Sequence, residues 1–164
     1  MDGFGHNKLA RGKSVIWLTP PIILQKLGVF DLDPCAAPNP RPWATANHHF
    51  DGSNYDGLKE PWFGRVWLNP PYDQKSMTAF MRKMSQHRSG IAFLFARTET
   101  AVWQRYVWSF ADSILFLEGR VQFYRPDGSK AWSAGAPSAL IAYSAFDTAV
   151  LRVSGLRGAL VRAY

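Results

Sequence analysis

The residues Asn69-Pro70-Pro71-Tyr72 combine types and spacing suited to one piece of chemistry, the activation of a planar exocyclic amine. The lone pair of such an amine is delocalised into its ring, which makes it a poor nucleophile. Two acceptors that take both of its N–H bonds draw the nitrogen toward tetrahedral geometry and free the lone pair. The Asn69 side-chain oxygen and the Pro70 carbonyl can form that pair. Pro70 and Pro71 restrict φ and push the residues before them toward extended backbone, so the acceptors and the Tyr72 ring are held in a fixed relation. Tyr72 offers a flat face on which a base swung out of its helix can stack. No general base has to act first. A proline-terminated strand ending in an ordinary turn would carry the same four residues, so the surrounding elements decide.

Those elements read as α/β. Val66-Trp67-Leu68 runs into the motif as the end of a buried strand, and ligands of open α/β sheets sit just beyond the carboxyl ends of strands. A second strand end lies upstream, where Val29 to Asp33 gives way to Pro34-Cys35-Ala36-Ala37-Pro38. Small residues directly after a strand let the backbone approach a ligand closely, a task usually given to glycine. Before it, Thr19-Pro20-Pro21 predicts a helix entry with Thr19 as N-cap and Pro20 at the first helical position. Apolar Ile22, Ile23, Leu24 and Leu27 follow, and Gly28 ends the helix. Asn39 to Asn54 predicts a long surface loop, followed by turns at Asp56-Gly57-Leu58 and Trp62-Phe63-Gly64.

After the motif, helical spacing runs from Asp73, a cap for that helix, to His87. Ile91 to Phe95 is an unbroken apolar run expected as a strand buried on both faces. Thr100 is expected to cap a helix carrying Val102, Trp103, Tyr106, Val107 and Phe110, with Trp103 in the core. Ile114 to Leu117 predicts a strand, Arg125 to Pro137 a loop or hairpin tip, and Ser138 to Ala145 another strand. Ala149 to Val153 and Leu160 to Arg162 are expected to close the sheet edge. Residues 1–16, polar and basic, read as a flexible arm, and residues 17–164 as one α/β domain.

The balance of charge, +7 with a pI near 9.8, favours a polyanionic partner, nucleic acid first. Lys75, Arg82, Lys83, Arg88, Arg125 and Lys130 could track a DNA backbone, each with a solvated face as the plainer alternative. Arg97 follows a strand end on the same sheet edge as Tyr72, where it and Arg120 suit phosphate or base contact as well as a surface ion pair. Seven tryptophans exceed what a core needs, which points to a groove for flat ligands. The single cysteine, Cys35, excludes an internal disulfide and multi-cysteine zinc sites. Adjacent His48 and His49 point apart in extended chain, so no metal is expected. With no apolar run long enough to span a bilayer and no apolar signal core at the N-terminus, a cytoplasmic, membrane-free protein is expected.

Taken in order, the motifs closely resemble the small phage-type DNA N6-adenine methyltransferase family of S-adenosylmethionine-dependent amino-methyltransferases. The matching residues are Thr19-Pro20-Pro21, Asp31-Leu32-Asp33-Pro34-Cys35-Ala36, Asp56-Gly57-Leu58 with Trp62, Asn69-Pro70-Pro71-Tyr72, Arg97-Thr98 with Thr100 and Trp103, Gly119-Arg120 with Phe123, and Ala136-Pro137-Ser138. The resemblance implies a compact, truncated Rossmann-like fold with a central, mostly parallel sheet. It implies methyl transfer from S-adenosylmethionine to adenine N6 in DNA, with Asn69, Pro70, Pro71 and Tyr72 as the catalytic motif. Asp33, Pro34, Cys35 and Ala36 would form the cofactor loop, Thr19 and Pro20 would cover the methionine moiety, and Asp56 would accept from the cofactor's adenine amine. Tyr72, Arg97, Thr98 and Arg120 would face DNA. Cytosine N4, RNA, a protein glutamine, or a catalytically idle DNA-binding module of the same fold are the alternatives.

Two features depart from the family pattern. The cofactor loop has Ala36-Ala37-Pro38 where glycines are usual, so it must follow a different path. Only about thirty-five residues separate Asp33 from Asn69, too few for two further strand–helix units, so a strand or helix is missing or replaced by the Asn39 to Asn54 loop. Asp51 is a candidate for the acid that holds the cofactor ribose.

Overall fold

The computed structural model describes residues 16–163. The expected arm therefore lies outside the described residues except for Ile16. Helix α1 (Pro21–Leu27) leads to strand β1 (Leu32–Asp33), β2 (His48–His49) and β3 (Val66–Leu68). Helix α2 (Gln74–His87), strand β4 (Gly90–Phe95), a π-helical turn (Trp103–Val107) and β5 (Ser113–Leu117) follow. The chain then forms β6 (Gln122–Tyr124), β7 (Lys130–Ser133), β8 (Ser138–Ala142), α3 (Ala145–Val153) and β9 (Gly158–Arg162). Seven strands make one sheet in the order β2-β1-β3-β4-β8-β5-β9, while β6 and β7 pair apart as a hairpin. β2, β1, β3 and β4 pair in parallel; β8 and β9 run against them, and β5, antiparallel to β8, runs with them. The fold is the mixed, mostly parallel sheet expected.

The pleat sorts the core into two layers. Val66, Leu68, Ala92, Leu94 and Ile114 face one way, against Phe80, Met81 and Met84 of α2 and Trp103 and Val107 of the π-helical turn. Trp67, Ile91, Phe93 and Leu115 face the other way, against Ile23, Leu24 and Leu27 of α1, Leu151 of α3, and Phe123 of the hairpin. The inner strands β3, β4 and β8 are buried on both faces, which explains why β4 reads as an unbroken apolar run. Trp103 is core, its indole donating to the Phe95 carbonyl at 3.0 Å.

Four local expectations need correction. Thr19 does not cap α1: Pro20 holds the N-cap place with ψ 133°, because the residue before a proline is driven from the helical region, and helix begins at Pro21. The Thr100 hydroxyl donates back to the Arg97 carbonyl rather than accepting from a helix amide. Ala149 to Val153 belongs to α3, capped by Ser144, and only Gly158–Arg162 closes the sheet edge. The Asn39 to Asn54 stretch is not wholly loop, since β2 lies within it.

No helix occurs between β1 and β3 among the described residues. That is where the fold is shortened. The chain steps from β1 outward to β2 on one side and returns to β3 on the other, so strand order reverses between β1 and β3. A crevice opens at the carboxyl ends of strands at such a reversal. Among the described residues no helix is long and apolar enough to cross a membrane.

Candidate active site

A cavity of about 730 Å³ opens at this crevice, within the range of roughly 300–1,000 Å³ usual for small-molecule sites. Its walls bring together Thr19, Asp33, Pro34, Cys35, Ala36, Asp56 and Asn69 through Tyr72, residues that are spread over more than fifty positions of the chain. Pro20 is buried but does not line the cavity, and neither do Arg97, Thr98 and Arg120. Arg97 and Thr98 follow the end of β4 and Arg120 follows β5, so all three stand on the same carboxyl edge of the sheet.

Asn69 is held by its amide nitrogen. Nδ2 donates to the Trp17 carbonyl at 3.1 Å and to the Thr19 hydroxyl oxygen at 3.4 Å. A carbonyl can only accept, so the amide has one workable orientation, with Oδ1 on the other side. That oxygen is buried and has no partner. Such an atom loses water without replacing it, an arrangement found where a ligand supplies the missing bond. The Asn69 backbone carbonyl accepts from the Cys35 thiol at 3.2 Å, which ties the motif to the loop after β1.

Tyr72 stacks on Phe95 with ring centroids 4.4 Å apart and planes inclined by 20°. One face of the ring is thus occupied by protein. Its hydroxyl is buried without a partner, and burial raises the phenol well above its ordinary pKa, so it stays a donor. Asp73 caps α2 by accepting from the Ser76 amide at 2.9 Å.

The loop after β1 solves its lack of glycine in two ways. No residue from Pro34 to Pro38 takes a positive φ, so the conformation that favours glycine is not needed there. The close approach is made from the other side, where Gly57 packs against Pro34 so tightly that a Cβ would lie 1.7 Å from the Pro34 carbonyl oxygen. Asp33 closes the loop by accepting from the Cys35 amide at 3.0 Å and from the Thr45 hydroxyl. Burial pushes the Asp33 carboxyl up to about 6, against the pull of Thr45, Cys35 and Arg41. Burial likewise pushes the Cys35 thiol up, so it is neutral and suited to packing rather than to attack.

Asp56 is exposed at the cavity wall, and the Leu58 amide at 3.0 Å holds its carboxyl below the usual range. Asp51, two residues beyond β2, accepts from Ser53 and pairs with Arg41 at 3.2 Å. His49 accepts through Nε2 from the Thr45 and Ala46 amides at 3.2 and 3.3 Å, a neutral ring that burial pushes lower in pKa. Among the described residues, no three His, Cys, Asp or Glu side chains cluster as metal ligands.

Several supporting residues carry no motif. Trp43 donates its indole N–H to the Thr19 carbonyl at 3.2 Å. Lys83, read as a cation that could track a DNA backbone or lie on a solvated face, does neither and donates to the carbonyls of Gly57 and Leu58, both at 3.1 Å, and to that of Glu60. Three converging backbone acceptors outweigh a solvent position for that ammonium, and burial lowers its pKa. The only sequence signal was its place three residues after Phe80, on the side of α2 that meets Trp62.

With cavity, motif and sheet order in hand, comparison with known families is decisive. The model of the DNA N-6-adenine-methyltransferase (Dam) family matches residues 7–153. The chain belongs to the Dam family. It is thus an enzyme of DNA adenine methylation, and DNA is its substrate class. Neither curated proteins nor solved structures gave a significant match. The Dam match ends at the last residue of α3, so β9 lies beyond it.

Proposed function

We propose that this Dam-family protein moves a methyl group from S-adenosylmethionine onto N6 of an adenine extruded from DNA, within the cavity between β1 and β3. The observation that carries the reading is Asn69 Oδ1, a buried acceptor with its amide nitrogen already spent on Trp17 and Thr19. An amine N–H placed there satisfies it, and the Pro70 carbonyl is positioned by the stiff Pro70-Pro71 pair to take the second N–H. The nitrogen lone pair is then free to attack in line, and its surplus proton leaves after the bond forms.

The cavity chemistry fits the donor. Asp33, a carboxyl whose ionised form is opposed by burial, is relieved by a cationic group, and S-adenosylmethionine carries an ammonium and a sulfonium. When bound, that cofactor supplies an electrophilic methyl. Asp33 to Ala36 would hold its methionine end, Asp56 its adenine amine and Asp51 its ribose. Arg97, Thr98 and Arg120, on the carboxyl edge, would meet DNA phosphates, and residues 17–164 would act as one catalytic domain. Incubation with labelled S-adenosylmethionine and DNA, then digestion to nucleosides, tests this. N6-methyl-2′-deoxyadenosine is expected; label on cytosine N4, or none, overturns it.

A further inference from the structure

The orientation of Asn69 is set from outside its own strand. Its two amide hydrogens go to Trp17 and Thr19, residues some fifty positions upstream that precede α1. We infer that Trp17-Leu18-Thr19 is a positioning strap for the Asn69 amide, with the buried Thr19 hydroxyl oriented toward Asn69 rather than serving chiefly as a cofactor contact. This rests on the reading of Asn69 as acceptor for the target amine.

The strap is fixed along its length. Leu18 makes both hydrogen bonds of an antiparallel bridge with Tyr124 of the β6–β7 hairpin, at 2.8 and 3.1 Å. Trp43 donates to the Thr19 carbonyl and sets its ring edge-on to Tyr124, with centroids 5.3 Å apart. Pro20 and Pro21 then stiffen the exit into α1, whose Leu24 and Leu27 are buried. Thr19 is 1% exposed. Its hydroxyl position is therefore defined by a hairpin on one side and a core helix on the other. Flipping the Asn69 amide would set Oδ1 against the Trp17 carbonyl, two acceptors facing each other, so the strap also excludes the unproductive orientation. Thr19 and Trp43 are thus positioning residues, acting on the amine only through Asn69.

Thr19→Val keeps shape and burial while removing the hydroxyl. The strap predicts that its single-turnover methyl-transfer constant, at saturating S-adenosylmethionine and DNA, falls about five- to tenfold, the scale of one neutral hydrogen bond. The dissociation constant for S-adenosylhomocysteine stays within about twofold, as a role outside cofactor binding requires. Thr19→Ser, which restores the oxygen, returns the transfer constant to near wild type. Trp43→Phe, which removes the N–H held by the strap, gives the same split and serves alone if Thr19→Val does not fold. Unchanged transfer, or transfer and S-adenosylhomocysteine affinity falling in parallel, overturns the strap. Asn69→Ala separates the two readings: full transfer by that variant overturns the role of Asn69 itself. Loss of transfer there, with Thr19→Val at the wild-type rate, overturns only the strap.

Discussion

The two ends of the central sheet are built on opposite terms. At the amino end, Arg65 and Asp147 form a buried pair with Nε 2.7 Å from Oδ1. Arg65 Nη1 also donates to the Leu27 and Val29 carbonyls, both at 2.9 Å, and its guanidinium lies 4.1 Å from the Phe30 ring centre. Asp147 accepts in addition from the Gly90 amide at 2.8 Å and from Ser144. The start of β3, the start of β4 and helix α3 are thereby joined, with Arg65 Nη2 the one member left without a partner. At the carboxyl end, Asn69 Oδ1 and Tyr72 Oη are both buried and unpartnered, and Asp33 is a carboxyl in a site that resists its charge. Polar groups serve cohesion at one end; at the other they are kept waiting for ligands, at some cost to stability.

The largest expected effect breaks this comparison most directly. Asn69→Ala should reduce methyl transfer by about a hundred- to a thousandfold, the usual scale for losing a group aimed at the reacting atoms. The variant removes the unpartnered Oδ1, which relieves a cost, and gives up the Nδ2 bonds to Trp17 and Thr19, so the urea midpoint should shift by no more than about 1 kcal/mol of stability. Asp147→Ala should do the reverse. Leaving Arg65 buried without its partner should cost about 3–5 kcal/mol of folding stability, read by urea denaturation. Transfer per folded molecule should be retained. Equal destabilisation by the two variants would dissolve the distinction between the ends.

How much of this was legible in the sequence follows from how local each determinant is. The motif Asn69 to Tyr72, the loop after β1 and the cap at Asp73 are contiguous patterns whose backbone constraints are written in their own residues, and each stands where it was expected. Thr19 failed as a cap for a local reason too, the proline after Pro20. The long-range partners were not legible. Nothing near Lys83 shows that three carbonyls await it, nothing near Gly57 shows that Pro34 will press on it, and Arg65 and Asp147 lie 82 residues apart. Strand β1 falls at the end of the Val29 to Asp33 run where a strand was expected, but β2 was obscured because its two residues are too few for periodicity to register.

Asp33 sharpens the contrast through pH. Its folded value, about 6, lies above the ordinary 3.8, so the folded protein binds the proton more tightly than the unfolded chain. Ionised Asp33 therefore costs stability above pH 6, by about 3 kcal/mol at about 1.4 kcal/mol per pKa unit. That cost is relieved progressively as pH falls from 6 to 4. Asp33→Asn should be as stable as wild type or more so at pH 7, and its stability should lack the wild-type gain between pH 6 and 4. Affinity of the wild type for S-adenosylmethionine should fall toward tenfold per pH unit below 6, measured by calorimetry, as protonation removes the charge that meets the ammonium. An affinity flat between pH 5 and 7 would take Asp33 out of the site.

The smallest effect separates two cations that sequence alone treats alike. Arg97 is exposed just past β4 on the carboxyl edge, whereas Lys83 is half-buried and held by Gly57, Leu58 and Glu60. A cation that neutralises a DNA phosphate displaces a counterion, so removing it weakens binding and flattens the logarithmic salt dependence by about 0.9 per contact. Arg97→Ala should show that change with little effect on stability. Lys83→Gln should leave the salt slope as in wild type while loosening the 57–60 turn, which raises the dissociation constant for S-adenosylhomocysteine a few fold. If Lys83→Gln changed the salt slope and Arg97→Ala did not, the DNA-facing surface would lie over α2, away from the edge where the orphaned acceptor of Asn69 waits. The measurement thus decides which side of the molecule meets the duplex.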